Sequence, residues 1–355
     1  MKRLAWTAIL PIGLALLAPV QAATIIIVNQ NAANVGFNDP TVVVPVGGNP
    51  GTTLGAQRLI LFQTAAHQWA ALLKSNLVIR VGAQFNSLAC SAGSAVLGSA
   101  GPTNFRTLSP VPPGAKSNTF YPEDLAEALL NVDKNAAAPD IDATFNANID
   151  TGCFGPNKLF WYGIDPNVAI PGNRIALFPT VLHELGHGLG FISLVCDDAA
   201  GCGSGWVYGG YPNGQKDIWS FFQANAGAPA TTWDTFTNAT RISSFTSGGT
   251  VSTTDNLVWV GANVNADLPT FASTFAGMNP ANASGHMELY APGTVESGSS
   301  ISHWTKAASS PNLLMEPVLS SGVFNPVDLT YSVFKDIGWN MYPRDEIFPD
   351  GFDAN

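Results

Sequence analysis

The chain has 355 residues, 46% hydrophobic and only 11% charged, with a formal charge of −10. That is enough apolar chain for one large domain or two smaller ones with a proper core, while so acidic a chain lacks the basic surface a nucleic-acid partner requires. Gly, Ala, Ser, Thr and Asn stand in place of the missing charges, a composition that suits a turn-rich secreted protein better than a helical cytosolic one.

Residues 1–22 read as a secretory signal peptide. Lys2 and Arg3 form its positive end, Ala8 to Val20 its apolar stretch, and Val20-Gln21-Ala22 a small-residue cleavage site before Ala23. Pro11, Gly13 and Pro19 argue against a membrane anchor, which needs about 20 apolar residues, and no later segment reaches that length. The expected location is secreted, extracellular or periplasmic. Cys90, Cys153, Cys196 and Cys202 then meet an oxidising compartment and are expected to form two disulfides. Of the three pairings, Cys196 with Cys202 and Cys90 with Cys153 are favoured. A second zinc site is the rival, but neither C-x-x-C spacing nor an adjacent histidine supports it.

Thr24 to Asn29 is a β-branched run that reads as a buried strand. In the loop that follows, Asn38 and Asp39 offer oxygens to a structural calcium ion, though both are foremost turn formers. Apolar residues from Thr53 to about Lys74 recur as on a long amphipathic helix capped by Thr52 or Thr53. His67 on that helix has no companion ligand at helical spacing and reads as structural. Leu77 to Phe85 reads as a strand, Tyr121 to Asp133 as a helix, and Ile141 to Ile149 and Lys158 to Ile164 as strands. This order predicts an α+β domain with a mixed sheet backed by two long helices.

The next stretch, Pro179 to Phe191, carries the chemistry. His183, Glu184 and His187 form the pattern H-E-x-x-H, and a helix sets residues four apart on one face, about 6 Å apart along its axis. Two imidazoles so placed grip one metal ion. Zinc accepts neutral nitrogen ligands and keeps a position for water, which Glu184 can deprotonate. Ile175, Ala176, Leu177, Val181, Leu182 and Leu185 supply the apolar surface that anchors this helix. The bland alternative is a core helix with two histidines by chance, the weaker reading in a chain with only five histidines. Gly186, Gly188 and Gly190 each weaken a helix by about 1 kcal/mol, so close packing and a helix stop are expected of them.

Residues 192–300 are rich in Gly, Ser, Thr, Asn and Ala, yet Trp206, Trp219, Phe221, Phe222 and Trp233 argue for an ordered insertion. Asn256 to Gly261 reads as a strand, and His286 to Pro292 as structured. Asn238-Ala239-Thr240 and Asn282-Ala283-Ser284 are acceptor sequons that matter only in a host that glycosylates secreted proteins. Residues 345–355 are an acidic tail, read as a solvated end with a sorting signal as its alternative.

The segment from His183 to Gly190 resembles the metzincin metalloproteases, whose pattern is H-E-x-x-H-x-x-G-x-x-H, except that Ser193 stands where the third histidine belongs. Ser302-His303-Trp304, Leu314-Met315-Glu316-Pro317 and a helix from Asp328 to Ile337 followed by Gly338-Trp339 resemble the end of leishmanolysin-type metzincins. The resemblance covers Val181 to Phe191 and Ser300 to Trp339. It implies that His303 is the delayed third zinc ligand and that Met315 lies in a turn under the metal. His286 and a glutamate ligand such as Glu288 or Glu296 stay open as alternatives. Tyr331 is the candidate tyrosine past the turn for stabilising an oxyanion.

The implied fold is a zincin-like α+β metalloprotease domain with a long insertion after the active-site helix. Its parts are the signal peptide 1–22, an N-terminal subdomain 23–191, the insertion 192–300, a Met-turn subdomain 301–344 and the tail 345–355. The implied function is a secreted zinc-dependent endopeptidase with one catalytic Zn2+. It would cleave protein or peptide substrates through a zinc-bound water activated by Glu184, which passes the proton to the leaving amine. The alternatives are an inactive zincin-like binding or structural domain and a zinc-dependent amidohydrolase acting on non-peptide amides.

Overall fold

The computed structural model describes residues 22–246, 257–274, 285–306, 312–318 and 327–343. The signal peptide up to residue 21, the Asn282 sequon and the tail 345–355 lie outside the described residues.

The β-branched run forms β1 (Thr24–Asn29) with the expected bounds. Helix α1 (Leu54–Leu72) starts where the Thr53 hydroxyl accepts the Ala56 amide at 3.2 Å, satisfying one of the helix's orphan donors. Its inner face, Leu61, Phe62, Ala65, Ala66 and Trp69, is wholly buried. Strand β2 (Val78–Asn86) pairs in parallel with β1 and with β6 (Ile141–Asn146), and β3 (Gly98–Pro102) closes the sheet antiparallel to β6. The result is a mixed sheet in the order β1-β2-β6-β3, with β3 on an edge. Phe37, Phe62, Phe85 and Phe145 meet largely edge to face between helix and sheet, Phe62 and Phe145 at 4.6 Å.

Two short ribbons and a helix complete this half. Strands β4 (Phe105–Arg106) and β5 (Tyr121–Pro122) pair before α2 (Glu123–Leu130), while β7 (Phe160–Trp161) pairs with β8 (Ile175–Ala176), which feeds α3 (Leu177–Gly188). Several expected elements are shorter than their patterns. Asn131 ends α2 by taking the left-handed conformation at φ 52°, and Asn146 ends β6 by capping a 3₁₀ turn over Ala147–Thr151. The run from Lys158 to Ile164 keeps only the two residues of β7.

The described part of residues 192–300 packs around tryptophans. It holds β9 (Gln223–Asn225), α4 (Asn238–Ser244), β10 (Leu257–Trp259), α5 (Ala262–Thr274) and β11 (Met287–Glu288), with the three strands antiparallel in the order β11-β10-β9. Trp219, Trp233 and Trp259 are fully buried. The last helix, α6 (Thr330–Ile337), joins it through Asp336, whose carboxylate accepts the Trp259 indole at 2.9 Å and the Asn263 amide at 2.8 Å. Disulfides link Cys90 to Cys153 and Cys196 to Cys202, as expected. No described helix is long and apolar enough to cross a membrane.

Buried carboxyls gather at α2. Asp124 is 2% exposed, and burial pushes its pKa well above the ordinary carboxylate range, with Asp140 and Glu127 adding like charge. Glu127 is pushed up to about 7, again chiefly by burial. A raised carboxyl is no burden while protonated at low pH, and it costs stability increasingly as pH climbs past the ordinary carboxylate range. Asp124→Asn should therefore raise the melting temperature at pH 8 by at least about 2 °C and leave it nearly unchanged at about pH 4. Thermal melts at both pH values check this; an equal gain at both would show that ionisation is not the cause.

Candidate metal centre and cleft

Every residue of α3 is buried. The helix lies against α1, where the Trp69 indole donates to the Leu182 carbonyl at 3.0 Å, and against the sheet. Its glycines have separate reasons. A Cβ on Gly186 would stand 2.8 Å from the Met315 sulfur, and one on Gly188 would stand 2.5 Å from Ile141. Gly190, at φ +121°, ends the helix in a Schellman turn: the Phe191 amide donates to the Gly186 carbonyl at 3.0 Å and the Gly190 amide to the His187 carbonyl at 3.1 Å. This turn aims the Phe191 carbonyl back at His187.

The three sequence-predicted histidines meet. The Nε2 atoms of His183, His187 and His303 lie 3.1 to 3.2 Å apart. Each ring is fixed from behind, because Nδ1 bonds to a backbone carbonyl: Leu314 at 2.6 Å for His183, Phe191 at 2.7 Å for His187 and Ser299 at 2.8 Å for His303. A carbonyl only accepts, so every Nδ1 carries the proton and every Nε2 presents a lone pair. Burial also keeps the rings neutral, holding His183 down to about 4, His187 to about 3 and His303 well below the usual range. Three lone pairs facing one another repel unless a cation lies among them. Tetrahedral zinc with bonds of about 2.0–2.1 Å sets its ligand nitrogens about 3.3–3.4 Å apart, so the observed triangle fits such an ion.

His303 reaches the site on chain that pairs with the segment after β11. The segment after β11 pairs with the Ser302–Thr305 stretch, the Tyr290 amide donating to the His303 carbonyl at 2.8 Å, and the Trp304 amide donates to the Met315 carbonyl at 2.8 Å. The Met315 turn is held by two buried carboxylates, Asp328 accepting the Leu314 amide at 2.5 Å and Glu316 the Leu313 amide at 2.9 Å. Asp328 thereby holds, through its amide, the residue whose carbonyl orients His183. Met315, fully buried, packs beneath α3 at Gly186.

Glu184 stands beside the triangle and is not part of it. Its Cγ lies 3.0 Å from where a Cβ on Gly98 would be, so β3 approaches this closely only because residue 98 lacks a side chain. Burial pushes the Glu184 carboxyl up to about 8, opposed by a hydrogen bond from the Ala100 backbone. The histidines and Glu184 open into a cleft of about 770 Å³, walled by the β3 strand with the residues before it, the start of α3, the Ser297–His303 segment and the turn at Glu316–Val318.

The other candidates lie elsewhere. His286 bonds to Asn265 at 2.9 Å, Glu296 pairs with Lys306 at 3.2 Å, and Glu288 is buried in β11; none lines the cleft. Tyr331 donates its hydroxyl to the Tyr342 carbonyl at 2.8 Å, away from the cleft. His67 is exposed on α1. Asn38 binds the Asn31 and Ala32 carbonyls, and Asp39 accepts the Thr41 amide and pairs with Arg58, which is turn chemistry. Among the described residues the histidine triangle is the one three-residue group arranged to hold a metal. Sequence reading missed β3, Asp328 and the carbonyls behind the rings. Of these only Asp328 leaves a trace, as the first residue of the predicted last helix. Comparison with protein-family models, curated proteins and solved structures finds no match for this chain.

Two expectations follow from this geometry. His303→Ala should weaken zinc binding by orders of magnitude and His286→Ala should leave it nearly unchanged, as read by chelator competition; the reverse ranking would assign the ligand to His286. Gly190→Ala should destabilise the metal-free protein by about 1–3 kcal/mol in urea melts, since an L side chain is strained at that φ and meets Ile337 at 2.9 Å. Unaltered stability would show that the turn can relax.

Proposed function

We propose that this chain is a secreted zinc metalloendopeptidase of zincin-like fold, a metzincin resembling the leishmanolysin type. The observation that carries this reading is the convergence of three unprotonated imidazole nitrogens beside a carboxyl that belongs to no ligand set, at the floor of a cleft. A purely structural metal site has no use for such a carboxyl. The cleft wall supports a peptide as substrate. Strand β3 is an edge strand, and an extended peptide can add to an open sheet edge through backbone bonds.

His183, His187 and His303 would hold the ion, and zinc, when bound there, supplies Lewis acidity that polarises a carbonyl and makes water acidic near neutral pH. Glu184 does the proton work. Its buried carboxyl holds a proton more tightly than an exposed one, and an adjacent cation lowers that affinity towards neutral pH, where a group both accepts a proton and returns it. It takes the proton from water in the cleft and delivers it to the leaving amine. Met315 and the carbonyls of Leu314, Phe191 and Ser299 keep the rings in register while this happens. Export is the natural context for two disulfides in one chain.

The test is hydrolysis of casein by the zinc-loaded protein compared with Glu184→Gln. That variant should keep its zinc, measured by atomic absorption, and lose activity by about 100-fold or more. Full activity in Glu184→Gln would remove Glu184 from the mechanism. Cleavage of small non-peptide amides but not casein would change the substrate class, and zinc binding without hydrolysis of either would leave a binding domain.

A further inference from the structure

The described arginines differ in how they are satisfied. Arg58 pairs with Asp150 at 2.8 Å, Arg80 with Asp133 at 3.5 Å and Arg106 with Glu123 at 2.5 Å. Arg241 donates to the Gly209, Trp233 and Phe236 carbonyls. Arg174 is the exception. Half-buried on the cleft wall, its guanidinium has neither an ion pair nor a hydrogen bond among the described residues, although Glu184, Glu316 and Asp197 line the same cleft. A guanidinium offers five donors in a planar fork, and leaving it partly desolvated without acceptors is unfavourable unless something else fills them.

Its position gives it a use. Arg174 precedes β8, and β8 runs directly into α3, so it stands by the helix's N-terminal end, where unpaired amides add partial positive charge. A second cation lies close by. β7 and β8 pair with Phe160 opposite Ile175, which brings the Lys158–Leu159 peptide alongside Arg174. Lys158 sits over the ring of Phe154 at 4.3 Å, and Phe154 also lines the cleft. From Leu177 to His183 the helix rises about 9 Å, the length of two or three residues of extended peptide.

We propose that Arg174, supported by Lys158, forms a carboxylate-binding subsite two or three residues from the hydrolysed bond. It selects substrates with an acidic side chain or a free chain terminus at that point, and it rests on the peptidase reading above. The fork of Arg174 binds both carboxylate oxygens, which a lysine cannot match. Lys158 adds long-range attraction and needs no direct contact.

The test uses internally quenched peptides drawn from casein. One set carries Glu or Gln at each of three positions on either side of the cleaved bond, and another pair ends in a free carboxylate or an amide. For the zinc-loaded protein, kcat/KM should favour Glu over Gln by about tenfold at one position, the low end for a charged hydrogen bond at a half-exposed site. In Arg174→Gln that ratio should fall to within about twofold of one, and in Arg174→Glu it should invert. Arg174→Lys should keep part of it and lose the remainder in high salt, where a point charge is screened. A preference for free acid over amide, with no Glu preference, assigns the same subsite to the chain terminus. Binding is measured separately by fluorescence anisotropy in the Glu184→Gln background, with and without Arg174→Gln, and should show the same ratio in Kd. A binding ratio that depends on Arg174 without turnover in the parent protein would sink the peptidase reading and keep the subsite. Turnover with no charge preference, or a preference unchanged by Arg174→Gln, would overturn the subsite and keep the peptidase. Should Arg174→Gln lose zinc or its melting transition, Arg174→Lys and the salt dependence carry the test.

Discussion

Three neutral imidazoles whose lone pairs converge within 3.2 Å are a constraint the rest of the molecule answers to. Such an arrangement is repulsive by itself. It persists because each ring is pinned through Nδ1 to a backbone carbonyl, and those three carbonyls come from a helix terminator, a buried turn and an irregular loop segment. Each of these three irregular segments therefore carries one support. An outer layer of acceptors fixes both tautomer and orientation, and it is as much a part of a metal centre as its ligands.

The helix at the centre is built against its own propensity. Gly186 and Gly188 cost local helix stability, and what they gain is proximity, a methionine beneath and a sheet residue alongside, while Gly190 just past the helix supplies the chain reversal. Glu184 shows the same preference on the opposite wall, where Gly98 lets the edge strand come within contact of the carboxyl. Local rules are broken where tertiary packing needs room, and these breaches gather round one cleft.

Much of this could be read from residues alone. The long helix and its Thr53 cap, β1 and the H-E-x-x-H helix follow from periodicity and capping, and both favoured disulfide pairings form. The convergence of His303 with the helix histidines was reached through a family resemblance, since nothing in the spacing of residues 187 and 303 announces a contact. What escaped did so for physical reasons. β3 is Gly-Ser-Ala-Gly-Pro, with no apolar alternation to reveal it as a strand. The ends of α2 and β6 are set by asparagine side chains and backbone torsions, which leave only weak marks in a sequence. Asp328 looks like an ordinary helix starter, and Arg174 like a loop cation, until the chain folds and shows what each faces.

His183 and His187 lie 120 and 116 residues before His303 in the chain. Closing so long a loop costs little more than closing one half its length, so the separation is thermodynamically cheap. Its effect is on timing. A chain made from its N-terminus first displays two histidines on a helix and only later receives the loop at Ser299, the turn at Leu314 and the supporting Asp328. Any metal capture by all three imidazoles therefore waits until His303 has been made, and a product interrupted before it would have the motif and only two of the three rings.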